Sequence, residues 1–127
     1  MKKVLLLLLT LYSFTTLAKD VTATSWLVAD ELGRPLRSSN IEEVRSIASI
    51  SKLMTVMIVM DANQDLTEKI GKYTREEYIK LALIKSDNNS AQVLCEKYPG
   101  GKDGCVKAMN DKAKSLYMPN TKFVEPT

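Results

Sequence analysis

The sequence predicts an α/β protein built from one N-terminal β-hairpin and a cluster of helices. Three observations lead to that class. Residues 21–30 read V-T-A-T-S-W-L-V-A-D, rich in strand formers, and Gly33 and Pro35 then punctuate a turn before Leu36 begins a return strand. Residues 50–60 are apolar nearly all round, with Leu53, Met54, Val56, Met57, Ile58, Val59 and Met60, the pattern of a helix buried on most sides. Beyond residue 74, capping residues alternate with apolar positions at helical spacing.

In chain order, Met1-Lys2-Lys3 is a basic start, residues 4–11 are an apolar core, and Thr16-Leu17-Ala18 ends on a small residue. This is the layout of a secretory signal peptide occupying residues 1–18, so residues 19–127 form the folded part, exported to a periplasm or secreted. A membrane anchor is the alternative, but residues 4–18 are interrupted by Thr10, Tyr12, Ser13, Thr15 and Thr16, and a spanning helix needs about 20 mostly apolar residues. No cysteine follows the apolar core to take a lipid.

The hairpin covers residues 21–38. Ser39-Asn40 and Glu42-Glu43 make a polar link to the apolar helix at 50–60, and a polar connection follows it from Asp61 to Gly71. Thr74 and Glu77 have the spacing of a capping box, threonine at the N-cap and glutamate three residues on. Tyr78, Leu81, Ala82 and Ile84 give that helix its apolar face, and it should stop near Lys85. Residues 86–90, S-D-N-N-S, are turn and cap formers, followed by a short helix at 91–97 that Pro99-Gly100-Gly101 ends. Asp103 is placed to cap a last helix with Val106, Met109, Ala113 and Leu116 as its apolar stripe and Lys107, Lys112 and Lys114 on a solvated face. Residues 121–127 read as extended chain, and there is no internal repeat or low-complexity segment.

Composition removes several classes of function. The 127 residues carry a net charge of +3, which falls to +1 without Lys2 and Lys3. No basic stripe stands out, which argues against nucleic acid as a partner. Histidine is absent, so the chain holds neither a Ser-His-Asp triad nor a Cys-His pair, and a catalytic zinc site is disfavoured. No cofactor is implied. Cys95 and Cys105 are the two cysteines, and in an exported chain such a pair reads as a disulfide rather than a metal site. If the chain does nucleophilic chemistry, lysine is the base left to it.

The stretch Ala48-Ser49-Ile50-Ser51-Lys52 places a serine three residues before a lysine. On a helix those positions share a face, so hydroxyl and amine can meet. A lysine in an apolar helix is disfavoured in its charged form, and a neutral amine beside a serine hydroxyl can take its proton and make a nucleophile. The same residues also read as a serine cap with a solvated lysine at a helix start, and S-x-x-K alone arises often by chance. Ser86-Asp87-Asn88, taken alone, reads as a helix-ending turn.

Together, S-x-x-K and S-D-N are two of the three motifs of penicillin-recognising serine enzymes, the third being K-T-G. The chain resembles the low-molecular-mass penicillin-binding proteins, D-alanyl-D-alanine carboxypeptidases and endopeptidases, and looks closest to the endopeptidase branch. The resemblance also rests on S-S-N at 38–40, I-A-S-I-S-K-L-M-T at 47–55, Y-P-G-G at 98–101, A-M-N-D-K-A-K-S-L at 108–116 and N-T-K-F-V-E-P-T at 120–127. It implies a β-lactamase/transpeptidase-like α/β fold. It also implies that Ser49 attacks the carbonyl of a peptidoglycan stem peptide, with Lys52 as general base. Ser86 would relay a proton to the leaving amine, Asn88 would hold the substrate amide, and the Ser49 N–H would be half of an oxyanion hole. β-Lactams would acylate the same serine.

The sequence departs from the family in three ways. K-T-G, which lies on a sheet strand and binds the substrate carboxylate in relatives, does not occur. Lys102-Asp103-Gly104 sits where the family starts a helix and is no replacement. The connection from Asp61 to Thr74 is shorter than in relatives, where it helps wall the cleft. The match therefore resembles an N-terminal half, a hairpin plus helical cluster lacking the C-terminal sheet strands. Two readings of function follow: a serine D-alanyl-D-alanine carboxypeptidase or endopeptidase, or a non-catalytic homologue that binds peptidoglycan peptides or a partner protein. An open strand edge and an apolar helix face lead us to expect self-association, or completion by a second polypeptide.

Overall fold

Hydrogen bonds from one aspartate shape the first turn of the chain. Asp30 Oδ1 accepts from the N–H of Leu32 at 3.0 Å and of Arg34 at 2.9 Å, while Arg34 Nε donates to Asp30 Oδ2 at 2.6 Å. Gly33 takes the left-handed conformation the reversal requires, with φ 76°. The computed structural model describes residues 21–127, so the signal-peptide reading of 1–18 lies outside the described residues. The chain divides into two compact units, one ending at Glu43 and one running from Val44 to Thr127.

In the first unit, β1 (Trp26–Ala29) pairs antiparallel with β2 (Pro35–Ser39). Trp26 faces Ser39, Val28 faces Arg37, and the register shifts between Val28 and Ala29. The expected hairpin is present, but β1 starts at Trp26; residues 21–25 are not strand. Asn40 holds the base of the hairpin by donating to the Thr24 carbonyl at 2.8 Å.

The second unit is helical. A 3-10 turn (Ala48–Ile50) runs into α1 (Ser51–Asp61). After it come a small hairpin of β3 (Lys69–Ile70) and β4 (Tyr73–Thr74), then α2 (Arg75–Ile84), α3 (Asn88–Glu96) and α4 (Gly101–Ser115). The core gathers where α1, α3 and α4 meet: Val59, Ala91, Leu94, Cys95, Cys105 and Met109 are all fully buried.

Several expectations are corrected here. The apolar helix is buried on one side only. Met54, Val56, Ile58 and Val59 face the core, while Ile50, Leu53, Met57 and Met60 form an exposed apolar stripe. Within the polar connection that follows Asp61 and leads to the next helix, β3 and β4 pair. Buried Arg75 fastens this connection to α2 by an ion pair with Glu68 and a 3.2 Å bond from Nε to the Asp65 carbonyl.

The third helix starts at Asn88, three residues before the expected position, because Asp87 caps it: its carboxylate accepts from Ser90 N–H at 2.7 Å. Asp103 is not the cap of α4. Gly100 is, in the left-handed conformation with φ 83°, and Asp103 lies in the first turn. Gly104 is there for space, since a Cβ on it would sit 2.3 Å from the Pro99 carbonyl oxygen. Of the stripe assigned to this helix, Met109 and Ala113 are buried and Leu116 is exposed. Lys107 pairs with Asp111 on the same helix, but Lys112 bridges to Asp61 of α1 at 2.8 Å. The Thr74–Glu77 capping box forms in both directions.

Candidate active site

Ser49 lies in the 3-10 turn and Lys52 in the first turn of α1, so the two sit across a helix junction. The tighter winding of the 3-10 turn does not separate them. Lys52 Nζ donates to Ser49 Oγ at 2.9 Å. Ser49 is exposed, whereas Lys52 is 2% exposed and among the largest fully covered side chains. A long side chain is held inside the fold with its nitrogen turned toward a solvent-facing hydroxyl. The solvated-lysine reading of S-x-x-K is thereby excluded.

Ala48, just before the serine, takes φ 43°, a left-handed conformation uncommon for a residue with a Cβ. It turns the chain into the helix, and the Ser51 hydroxyl closes the turn by donating to the Ala48 carbonyl at 2.8 Å. Ser49 is therefore presented on a sharp bend at the start of a well-packed helix.

The second motif is split by the start of α3. Ser86 adopts φ 54° and is exposed, Asp87 is the N-cap, and Asn88 is the first helical residue, also exposed. Asp87 is held below the ordinary carboxylate value, mainly by the Ser90 hydroxyl, then by the Ser90 N–H, with the Lys52 charge adding to the effect. The Ser86 hydroxyl and the Asn88 amide are not hydrogen-bonded to Ser49 or Lys52, and both residues are exposed. The sequence reading placed Asp87 among the turn and cap formers of residues 86–90, and it is the residue of that run that caps the helix.

Cys95, near the end of α3, and Cys105, in the second turn of α4, are joined by a disulfide and are fully buried. The staple ties the helix that carries Asp87 and Asn88 to α4. Lys102-Asp103-Gly104 lies at the start of α4, where its glycine serves the close approach to Pro99. Among the described residues no cluster of His, Cys, Asp and Glu is arranged to hold a metal ion, and no helix is long and apolar enough to cross a membrane.

The arrangement combines a nucleophile candidate with a buried amine in contact with it. Comparison with known proteins gives the family of the chain. The D-alanyl-D-alanine carboxypeptidase family matches residues 12–70 and 65–127. The D-alanyl-D-alanine endopeptidase of Escherichia coli K12 is 40% identical over 129 aligned positions, covering 85% of this chain and 42% of that protein. The D-alanyl-D-alanine endopeptidase of Pseudomonas aeruginosa is 39% identical, covering 87% of this chain and 43% of the relative. A D-alanyl-D-alanine carboxypeptidase of Bacillus subtilis is 28% identical over 80% of this chain and 32% of its own length. The chain thus spans less than half the length of these relatives. With the family match running through the Ser49–Lys52 pair, the S-D-N segment and on to Thr127, the chain belongs to the D-alanyl-D-alanine carboxypeptidase family.

Proposed function

We propose that this chain carries the nucleophile half of a serine D-alanyl-D-alanine carboxypeptidase or endopeptidase acting on peptidoglycan peptides after export. The observation that carries this reading is the 2.9 Å contact between buried Lys52 Nζ and exposed Ser49 Oγ. With the amine neutral, the bond reverses and Ser49 O–H donates to Nζ. Attack of Oγ on the peptide carbonyl then passes the proton to Lys52, and the acyl-enzyme is hydrolysed by water. Ser86 would return a proton to the leaving amine, Asn88 would hold the substrate amide, and the Ser49 N–H would receive the developing negative charge. β-Lactams would acylate Ser49 by the same route.

The finer architecture we propose is that of the β-lactamase/transpeptidase-like fold, with the K-T-G strand supplied by a second polypeptide. The exposed stripe of Ile50, Leu53, Met57 and Met60 supports this, because an apolar face of that extent favours association. Ser86 and Asn88 make no hydrogen bond to Ser49 or Lys52, which favours a second reading, a non-catalytic homologue that binds peptidoglycan peptides or a partner protein.

Labelling with a fluorescent penicillin decides between the two. We expect slow labelling of the purified chain that disappears in Ser49→Ala. Co-expression with a polypeptide bearing the K-T-G strand should accelerate it by about 100- to 1000-fold, the usual worth of one oxyanion donor. Labelling that survives Ser49→Ala overturns the assignment, and no labelling under either condition selects the binding reading.

A further inference from the structure

Ser51 lies between the two members of the pair and is neither of them. It is 5% exposed, and its hydroxyl donates to the Ala48 carbonyl at 2.8 Å. Its N–H is shared between the Ala48 and Ser49 carbonyls. Ala48 stands just before Ser49, and Ser51 stands just before Lys52. One side-chain bond therefore closes a ring across the nucleophile candidate and ends beside the amine.

The turn needs such a bond. Ala48 holds φ 43°. For a residue with a Cβ, the left-handed conformation costs about 5- to 30-fold in population. A residue strained in this way persists only where its surroundings over-determine it. The two helix starts at this junction have no side-chain cap, because the residues at the cap positions, Ile47 and Ile50, are apolar. Ile50 N–H gives the turn a backbone bond to the Ile47 carbonyl at 3.1 Å, and the Ser51 hydroxyl adds the side-chain bond that the caps do not. A neutral hydrogen bond is worth about 2- to 12-fold. That is the scale of the strain, so the hydroxyl decides how fully the bend is populated.

We infer that Ser51 is a positioning residue, whose hydroxyl holds the strained Ala48 turn and through it keeps Ser49 Oγ in contact with Lys52 Nζ. The inference deepens the peptidase reading and rests on it for the reaction. Ser51 touches no reacting atom in this role. It sets the fraction of time that nucleophile and base are aligned, so it acts on the acylation step and not on the binding that precedes it.

The experiment has two readouts on the full chain. The first is penicillin acylation of Ser49 over a range of concentrations, which separates the limiting rate from the half-saturating concentration. Ser51→Ala should lower the limiting rate about 10- to 100-fold, the scale of a small misplacement of reacting groups. The half-saturating concentration should stay within about threefold of wild type. Ser51→Thr keeps the hydroxyl and should restore most of the rate. Ala48→Gly/Ser51→Ala should do the same, because glycine takes a positive φ without strain. If Ser51→Ala does not fold, Ser51→Cys, similar in shape with a weak donor, replaces it in the same comparison. The second readout is a crystal structure of each variant. Ser49 Oγ and Lys52 Nζ should lie beyond about 3.5 Å in Ser51→Ala and return to contact in the two rescued variants. Acylation of Ser51→Ala at the wild-type rate, a change in the half-saturating concentration alone, or a slowed variant that neither Ser51→Thr nor the glycine double variant rescues overturns the inference. So does a Ser51→Ala structure with the contact intact. A wild-type chain that never labels removes the peptidase reading, and the structures then decide the positioning role by themselves.

Discussion

The hydroxyl of Thr55 on α1 donates to the carbonyl of Pro126 at 2.8 Å, joining two residues 71 positions apart. Both groups are buried, so the bond fastens the C-terminal segment to the helix that carries Lys52. Thr55→Val keeps the shape and leaves the Pro126 carbonyl without its donor. That should cost about 1–3 kcal/mol in stability, the penalty of a buried unsatisfied acceptor. Thr55→Ser should recover most of it. Urea unfolding of the three proteins measures both effects, and a valine variant as stable as wild type removes the bond from the account.

Lys52 is predicted to act on rate. Lys52→Ala should lower penicillin acylation of Ser49 by about 100- to 10,000-fold, the range of general-base contributions. Because Lys52 is covered by the fold, each rate is to be compared with the circular dichroism of the same sample. A folded Lys52→Ala protein that acylates at the wild-type rate contradicts the role of the amine.

Asp87 gives a prediction with a pH sign. Its carboxyl is held below its ordinary value of 3.8, first by the Ser90 hydroxyl and next by the Ser90 N–H. A depressed carboxylate contributes stability that is fully present above its unfolded value and is lost as pH falls through the lower folded one. The cap on α3 should therefore hold from neutral pH to near pH 4 and weaken only in stronger acid. Asp87→Asn can still cap but does not titrate. The stability difference between wild type and this variant should be flat above about pH 5 and drift toward the variant in acid. A difference that is the same at both ends of the range counts against the assignment.

The Cys95–Cys105 bridge closes a loop with a sequence separation of 10. On the chain-entropy account, a loop of that length stabilises the fold by about 3 kcal/mol. The double variant Cys95→Ala/Cys105→Ala should lose at least that amount in thermal or urea unfolding. Alkylation of exported protein without reductant, read by intact mass, should add nothing; two alkyl groups would show free thiols.

The open stripe on α1 bears on association. Replacing Leu53 and Met57, both exposed, by glutamine leaves the buried face untouched. Sedimentation should show wild-type chain associating at micromolar concentration and the double variant shifted toward monomer. The same sedimentation profile for both proteins would locate association elsewhere or rule it out.

Local chemistry was readable without coordinates. The Thr74–Glu77 box, the Gly33 turn, the stop near Lys85 and the presence of helices α1 and α2 depend on residues within a few positions of each other, so the sequence alone determined them. The pairing of Ser49 with Lys52 belongs in the same class, because three residues of helical winding suffice to bring the side chains together.

What only the tertiary structure decided is the outcome of long-range competition. An all-apolar stretch such as residues 50–60 does not say which side meets the core; packing of α1 against α3 and α4 chose Val59 over Met60. The burial of Lys52, which separates a candidate base from a solvated lysine, comes from neighbours far along the chain. The clamp of Asn110 on Phe123 and the reach of Thr55 to Pro126 are polar bonds between residues 13 and 71 positions apart, with no periodicity to announce them. Through those bonds the C-terminal segment is fastened to the helices, since an extended segment without its own helix or sheet ladder is held only by the side chains that the fold brings to it.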